Sequence, residues 1–106
     1  MKLSPKPFEQ IQQGIKTVEI RLYDEKRRLL KVGDRIIFTR ADDESQSIET
    51  EVVRLDVFKT FKELCYAYDP VVYGSVSADE WVDMYKYYTK EDEGEFGVVG
   101  VGVRKK

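Results

Sequence analysis

The sequence predicts a single α+β domain, a small mixed barrel of strands with short helices, and three observations carry this prediction. Apolar and polar residues alternate strictly along residues 17–22, which predicts a half-buried strand at residues 16–22. Apolar residues recur at helical spacing in residues 58–68 and again in residues 77–88. A valine- and glycine-rich stretch, residues 96–103, predicts the last strand of the barrel. A length of 106 residues supports one modest core, so residues 1–106 are predicted to form one domain.

The chain begins with a predicted helix that leads directly into the alternating strand. Pro5 and Pro7 suit the first turn of a helix, and Ser4 before them suits its N-cap. Gly14 is a natural residue to end the helix, so residues 5–13 are predicted to be helical.

Two further strands are predicted in the first half of the chain. Residues 23–31 form either a loop or one irregular helical turn, and the sequence does not decide between them. Residues 32–34 form a turn before a strand at 35–40, whose two apolar faces predict cover on both sides. The polar, acidic residues 41–47 are predicted to be a loop, and residues 48–57 a second long strand of a twisted barrel.

The second half of the chain is predicted to be helical before its last strand. Pro70 ends the first helix, and residues 71–74 form an extended or turn linker. Ser77 and Glu80 match a capping box that opens the second helix, which extends to about Tyr88. Both helices have an apolar face assigned to the core. In the first helix it consists of Phe61, Leu64, Cys65 and Tyr68, and in the second of Trp81, Met84, Tyr85 and Tyr88. Three glycines in the last strand predict barrel bends or a close approach of another backbone.

The composition excludes several classes of protein. The absence of histidine removes Ser-His-Asp and Cys-His nucleophile systems and the usual zinc sites. The chain has no glycine-rich phosphate loop, and neither a metal nor a cofactor is predicted. Cys65 is the only cysteine, so it cannot form an internal disulfide and is predicted to be a core residue. With no membrane-length apolar run and no signal peptide, we expect a cytoplasmic protein, monomeric by default and without a membrane partner.

The charges are unevenly distributed along the chain. Residues 1–40 carry ten Lys and Arg against five Asp and Glu, a net charge of +5. Residues 41–106 carry eight against fifteen, a net charge of −7, so the whole chain has a net charge of −2. A basic face can therefore meet a polyanion, but the acidic total argues against strong, indiscriminate nucleic-acid binding. This balance favours a small, local ligand site.

Three ionisable residues stand out on the polar face of the alternating strand and at its entrance. Glu19 and Arg21 are two residues apart on one face, and Lys16 lies where the strand begins. Lysine is depleted in strands, so Lys16 is the least expected of the three as a purely structural residue. The spacing predicts either a polar pocket or a surface row of ion pairs, and it does not decide between them.

The pattern Gly-x-Lys-x-x-Glu-x-Arg, from Gly14 to Arg21 after a short amphipathic helix, resembles the ASCH domain family of PUA-like β-barrels. The Val-Gly-Asp sequence of residues 32–34 belongs to the same resemblance. Residues 87–93 and 97–101 resemble that family's closing segment, so the resemblance spans nearly the whole chain. It implies a PUA-like mixed β-barrel with short helices that cap and flank the barrel, and a polar cleft between barrel and helix.

The resemblance implies that the protein recognises RNA, a nucleotide or a nucleoside in a pocket built on Lys16, Glu19 and Arg21. In that pocket Lys16 and Arg21 would meet a phosphate or a base edge, and Tyr23 would stack on a base. The basic cluster after the strand would hold the RNA backbone, and it consists of Lys26, Arg27 and Arg28. Among the seven tyrosines, the best candidates for exposed rings are Tyr23, Tyr73 and Tyr87.

An enzymatic function is the alternative. Small bacterial members of the family include amidohydrolases that remove the acetyl group from N4-acetylcytidine with a lysine, a threonine and a glutamate. Lys16 matches that lysine, but Glu19 stands at the place of the threonine, and the glutamate cannot be assigned within residues 70–80. Lys16 with Glu19 could still activate water, and an RNA-cleaving hydrolase is also open. Glu91 or Glu93 is a further carboxylate that could join the pocket.

Overall fold

Five strands form one curled sheet in the order β1-β3-β4-β5-β2 in the computed structural model, which describes residues 1–106. The strands are β1 Lys2–Leu3, β2 Val18–Leu22, β3 Arg35–Arg40, β4 Asp43–Phe58 and β5 Val98–Lys105. The short β1 pairs in parallel with β3, and all other neighbours are antiparallel. The sheet is therefore a half-barrel whose two edges are β1 and β2, as the predicted mixed α+β barrel requires.

Six short helical segments pack against this sheet. Three are α-helices, namely α1 Pro5–Gln12, α2 Phe61–Ala67 and α3 Lys90–Phe96. Three are 3₁₀-helical, namely Arg27–Leu29, Pro70–Tyr73 and Ala78–Lys86. None of these segments has the length and apolar character needed to cross a membrane.

The core has two parts, one on each face of the sheet, and β5 contributes to both. Val99, Val101 and Val103 point into the first core and Val98 into the second, so this strand is buried on both sides. The first core lies under α1 and includes Leu3, Phe8, Ile11, Ile36, Phe38, Ile48, Val52, Val99, Val101 and Val103. The second lies under α2 and the 3₁₀ segments Pro70–Tyr73 and Ala78–Lys86, and it includes Val18, Leu22, Phe61, Leu64, Cys65, Tyr73 and Val98.

Several sequence predictions are confirmed. The first helix lies where it was expected, and Gly14 follows it with a φ of +78°, although the Ser4 side chain makes no capping hydrogen bond. The strand predicted at 35–40 is β3. Cys65 is buried in the second core, and the partly buried aromatic face of Ala78–Lys86 packs against that core.

The first hairpin differs from the prediction. Its loop was expected to span residues 41–47, but β4 begins at Asp43 and its pairing with β3 shifts register between Thr39 and Arg40. The polar residues at the start of β4 are all exposed, so they show no buried alternation from which a strand could be predicted. The expected cover on both faces of β3 is also wrong, because Ile37 is about half exposed, at 49%.

The helical segments of the second half also differ in detail. The helix expected over 77–88 is a 3₁₀ segment, and the Ser77 hydroxyl accepts a hydrogen bond from the backbone N–H of Asp79 rather than that of Glu80. The linker expected at 71–74 is largely 3₁₀-helical. The helix α3 was not predicted, and the last strand begins after it, at Val98.

Close contacts explain two of the glycines in β5. A Cβ atom at Gly100 would lie 2.7 Å from the Tyr68 hydroxyl oxygen, and one at Gly102 would lie 2.9 Å from the Cβ of Arg54. The predicted close approach is therefore present. Side chains make the nearest contacts at Gly100 and Gly102, whereas backbone makes the contact at Gly97, where a Cβ atom would lie 3.0 Å from the Phe58 carbonyl oxygen.

Candidate functional site

The cross-strand register directs two charged side chains of β2 toward the first core. Glu19 lies opposite Val101 and Arg21 opposite Val99, and both valines are buried in that core. Because directly opposed residues of an antiparallel pair point to the same face, Glu19 and Arg21 project to the face of the sheet that carries the first core. The strand begins at Val18 rather than at residue 16, so Lys16 lies in the turn that precedes it.

Lys16, Glu19 and Arg21 form a buried cluster of ion pairs, here called the charged triad. The Lys16 Nζ lies 2.7 Å from the Glu19 Oε1. The Arg21 Nε and Nη2 donate to the Glu19 Oε2 at 3.0 Å and 2.7 Å. Glu19 is only 4% exposed, so both of its oxygens face cations rather than water. One carboxylate between two cations leaves the charged triad with a net charge of +1.

The environment keeps Glu19 and Arg21 ionised. Burial raises the pKa of Glu19, but the charges of Lys16 and Arg21 and their hydrogen bonds outweigh it, and the net pKa is lower than usual. Burial lowers the pKa of Arg21, whereas Glu19 and then the adjacent Tyr88 raise it, and the net pKa is higher than usual. Glu19 is therefore a poor proton acceptor, because its charged form is stabilised and its oxygens are engaged.

An open cleft of about 450 Å³ lies at the charged triad, between the two edges of the sheet. We call it the seam cleft. Lys2, Leu3 and Ser4 line one side, and Lys16, Glu19 and Arg21 line the other. Tyr87 and Tyr88 complete the wall, and the Tyr87 ring is 78% exposed, as predicted. The seam cleft therefore combines a buried positive charge with an accessible aromatic ring.

A second, smaller cavity of about 110 Å³ lies next to the charged triad. Its lining includes Lys16 and Glu19 from the charged triad. It also includes Ser75, which lies between two 3₁₀ segments, and Glu80, which lies in the segment Ala78–Lys86. Glu80 is half-buried, and its carboxylate forms no ion pair and no side-chain hydrogen bond within the chain. The sequence pattern assigned Glu80 to a capping box, and the family resemblance placed a glutamate within residues 70–80 without assigning it; nothing in the spacing indicates that Glu80 approaches Lys16.

Gly74 allows the segment with Glu80 to close over Lys16. This glycine has a φ of +87°, a conformation that other residues rarely adopt. A Cβ atom there would lie 2.6 Å from the Gln10 Oε1 and 3.5 Å from the Lys16 Cδ. The Thr17 N–H also donates to the Val72 carbonyl at 2.8 Å, which ties this segment to the start of β2.

The other residues predicted for the pocket lie elsewhere. Tyr23 and Arg28 line a separate cleft of about 780 Å³, where the guanidinium lies 4.3 Å from the ring centroid. Lys26 and Arg27 line another groove beside α3, and Arg27 pairs with Asp24 at 3.4 Å. The structure thus brings Lys16, Glu19 and Arg21 together and leaves these four outside the seam cleft.

Glu93 was considered as a further carboxylate of the pocket, but it lies outside the cavities of the charged triad. Its Oε2 accepts a 2.8 Å hydrogen bond from the backbone N–H of Phe61, and the Tyr85 hydroxyl donates to its Oε1 at 2.9 Å. Glu91 is exposed, and neither glutamate lines a cavity of the charged triad. Tyr73, expected to be exposed, is buried, and its hydroxyl donates to the Cys65 carbonyl at 2.9 Å.

The sheet is a curled half-barrel with a buried charged cluster on its edge strand β2, and this architecture is that of a small mixed β-barrel domain. The model of the ASCH domain matches residues 1–105, and the chain therefore belongs to the ASCH domain family. No curated protein matches the sequence.

Two solved structures share the fold along the whole chain. One is the crystal structure of the hypothetical protein PH0355, with 32% sequence identity, complete coverage of both chains and a TM-score of 0.78. The other is the solution NMR structure of the protein PF0455 from Pyrococcus furiosus, with 28% identity and a TM-score of 0.69. That match covers 99% of this chain and 97% of the other. These findings confirm the fold class predicted from the sequence.

Proposed function

We propose that this ASCH domain binds RNA by accommodating one nucleotide in the seam cleft. The observation that carries the proposal is the net positive charge of the charged triad, held at an open cleft beside an exposed tyrosine. A buried cation with free donors attracts a phosphate or an electron-rich base edge. An aromatic ring at the rim supplies a stacking surface that tolerates any base.

Arg21 has donors left for a ligand. A guanidinium carries five N–H donors. Glu19 accepts from two nitrogen atoms of Arg21 and Tyr88 lies within hydrogen-bonding reach, which leaves about two N–H groups for a ligand. Glu19 also holds the guanidinium in a fixed orientation, so little side-chain entropy would be lost when a ligand binds. On this proposal Arg21 recognises the ligand, Lys16 supports the charge, and Tyr87 stacks on the base.

Substitution of Arg21 tests the proposal. We expect Arg21→Gln to weaken binding of a random-sequence RNA hexanucleotide by about tenfold or more, because a charge-assisted hydrogen bond contributes about 1.5–3 kcal/mol. Fluorescence anisotropy of the labelled RNA measures the affinity, and a thermal melt of each variant identifies loss of folding. The exposed Lys62→Gln removes one positive charge from α2 and serves as the control. Equal affinities for native protein and Arg21→Gln would contradict the proposal.

Hydrolysis of an acylated nucleoside is a second candidate, and the free carboxylate of Glu80 favours it. Since both oxygens of Glu19 are engaged, Glu80 is the better proton acceptor for a water molecule in the small cavity. Lys16 would stabilise the oxyanion that forms when this water attacks the acyl carbonyl. The cavity, at about 110 Å³, suits a water molecule and a small acyl group rather than a whole nucleoside.

A turnover assay tests this second candidate. We expect native protein to deacetylate N4-acetylcytidine, and Glu80→Gln to lower the rate by at least about 100-fold, as loss of a general base does. Mass spectrometry of the nucleoside measures the product, with Lys16→Ala as a second inactive variant and the exposed Glu63→Gln as control. No product from native protein would reject the candidate and leave RNA binding in place. Release of shortened fragments from the hexanucleotide would instead indicate an RNA-cleaving hydrolase.

A further inference from the structure

A groove of about 430 Å³ lies where the end of α1, the turn before β2 and the end of β5 meet. Its lining contains three cationic residues, Lys16, Arg104 and Lys105, and no acidic residue. We call it the basic groove. This positive charge contrasts with that of residues 41–106, which supply Arg104 and Lys105 but have a net charge of −7. A cationic groove without carboxylates is suited to an anionic ligand.

The basic groove adjoins the seam cleft at one residue. Lys16 lines both, so its side chain separates the charged triad from the groove. A linear ligand in the seam cleft would reach the groove by passing Lys16. No comparable connection links the seam cleft to the cleft of Tyr23 and Arg28, which shares no lining residue with it.

The side chains of the basic groove have free binding capacity. Lys105 donates one hydrogen bond, at 2.8 Å, to the carbonyl of Gln12. This bond offsets the partial negative charge at the end of α1 and leaves two ammonium donors for a ligand. The Arg104 side chain is 69% exposed, and its Nη2 donates one 3.4 Å hydrogen bond to its cross-strand partner Glu51, so its other N–H groups remain for a ligand. Thr17 adds an exposed hydroxyl, and a Cβ atom at Gly14 would meet nothing within 4 Å, so the groove is open there.

We infer that the basic groove binds the RNA phosphates next to the nucleotide in the seam cleft, with Arg104 and Lys105 as the contacting residues. This inference rests on the proposed function and extends it from one nucleotide to a strand. Lys16 then marks the point at which the RNA passes from the seam cleft into the basic groove. Recognition in the groove is independent of sequence, because phosphate contacts carry no base information.

Two probes separate the basic groove from the seam cleft. An equimolar mixture of the four nucleoside 5′-monophosphates tests the seam cleft, and a random-sequence RNA hexanucleotide tests both. Each phosphate contact to a single strand contributes about 0.7 to the slope of log affinity against log salt, which amounts to about fivefold at 0.1 M salt. We expect Arg104→Gln with Lys105→Gln to weaken hexanucleotide binding about 25-fold and to reduce that slope by about 1.4. Mononucleotide binding should change by less than about twofold.

The matched control removes two positive charges from the chain that follows β4. Lys59→Gln with Lys62→Gln should leave both probes unaffected, since these lysines lie at the start of α2, away from the basic groove. Hexanucleotide binding that is unchanged by the groove variants, or equally weakened by the control, would overturn the inference while native binding upholds the proposed function. If native protein binds neither probe, the proposed function fails and the inference fails with it.

Discussion

The central residue of the site is Glu19, a carboxylate with only 4% exposure that is held between two cations. Burial of an ion pair is a weak source of net stability, but removal of one partner leaves buried charges without compensation. In this cluster the loss of Glu19 would leave Lys16 and Arg21 side by side, so their mutual repulsion would add to the penalty. Glu19 therefore connects the stability of the fold with the charge of the site.

Substitution of Glu19 by its neutral isostere tests this connection. We expect Glu19→Gln to lower the free energy of unfolding by about 3 kcal/mol at pH 7. The pKa of Glu19 is lower in the folded protein, so its contribution is complete above pH 4.5 and is lost as the pH falls through the folded-state pKa. Urea unfolding at pH 7 and pH 3 should therefore show a difference between the two proteins that is smaller at pH 3 than at pH 7.

The exposed ion pair of Arg35 and Glu49 supplies the control for this experiment. We expect Glu49→Gln to change the free energy of unfolding by less than about 1 kcal/mol at either pH, as exposed pairs usually do. An equal effect of Glu19→Gln at pH 3 and pH 7 would show that shape rather than charge makes Glu19 important.

At the residue scale, the sequence predicted the charged triad but not its surroundings. Strand alternation placed Glu19 and Arg21 on one face, and this is a local property of the chain. Tyr23 continues the same alternation, but β2 ends at Leu22, and Tyr23 lines a different cleft. Glu80 reaches the charged triad only because Gly74 lets a distant segment close over Lys16, and no local pattern records such a contact.

At the element scale, Glu93 joins two helices that the sequence did not connect. Its carboxylate accepts from the backbone N–H of Phe61, at the first residue of α2, although Glu93 itself belongs to α3. A negative charge at this end of a helix satisfies an N–H group that has no partner within the helix. Tyr85 donates to the same carboxylate, so the 3₁₀ segment Ala78–Lys86 shares this connection.

Removal of the Tyr85 hydroxyl tests the importance of this connection. We expect Tyr85→Phe to lower the free energy of unfolding by about 1 kcal/mol at pH 7, the usual contribution of one hydrogen bond. Burial, together with the hydrogen bond to Glu93, raises the pKa of Tyr85 from 10.0 to about 12. A raised pKa stabilises the fold at low pH and loses that effect as the pH rises from 10 toward 12.

Urea unfolding at pH 7 and pH 11 provides the measurement. The difference between native protein and Tyr85→Phe should shrink at the higher pH. Tyr87→Phe, at an exposed ring, is the matched control and should leave the unfolding curve unchanged at pH 7. A control that destabilises as much as Tyr85→Phe would contradict the assignment.

Elements with little apolar content were the hardest to predict. The helix α3 contains one large apolar residue, Phe96, so its sequence shows no helical apolar period. A local signal was present, since the Thr89 hydroxyl accepts from the backbone N–H of Asp92 in the manner of an N-cap. The start of β4 escaped prediction for the same reason, because strand pairing rather than burial holds its exposed residues.

At the scale of the whole molecule, the curl of the sheet depends on close packing against β5, which is buried on both faces. Tyr68 packs directly on Gly100, and its hydroxyl bonds to the carboxylate of Asp56 on the neighbouring strand β4. A side chain on Gly100 would push this ring away from the sheet. The sequence predicted the glycines but could not identify the ring that requires them, because Tyr68 reaches β5 only through the path of the chain.

A pair of glycine substitutions tests this packing. We expect Gly100→Ala to lower the free energy of unfolding by about 1–3 kcal/mol, since an added methyl group would lie 2.7 Å from the Tyr68 hydroxyl oxygen. Gly94→Ala in α3 has open space around the new methyl group and should raise the free energy of unfolding by about 0.4–1 kcal/mol. Thermal unfolding of the two variants should show midpoint shifts of opposite sign, and shifts of the same sign would contradict this account.

The position of β2 at the edge of the sheet has a consequence for solubility. An edge strand offers unpaired backbone groups to which a strand of another molecule can add, and this is a common start of aggregation. Charged side chains that point inward from such a strand oppose this addition, because a docked strand would have to be accommodated beside buried ions. Glu19 and Arg21 therefore protect the edge on which they lie. A variant that makes this strand apolar would lose that protection together with the site.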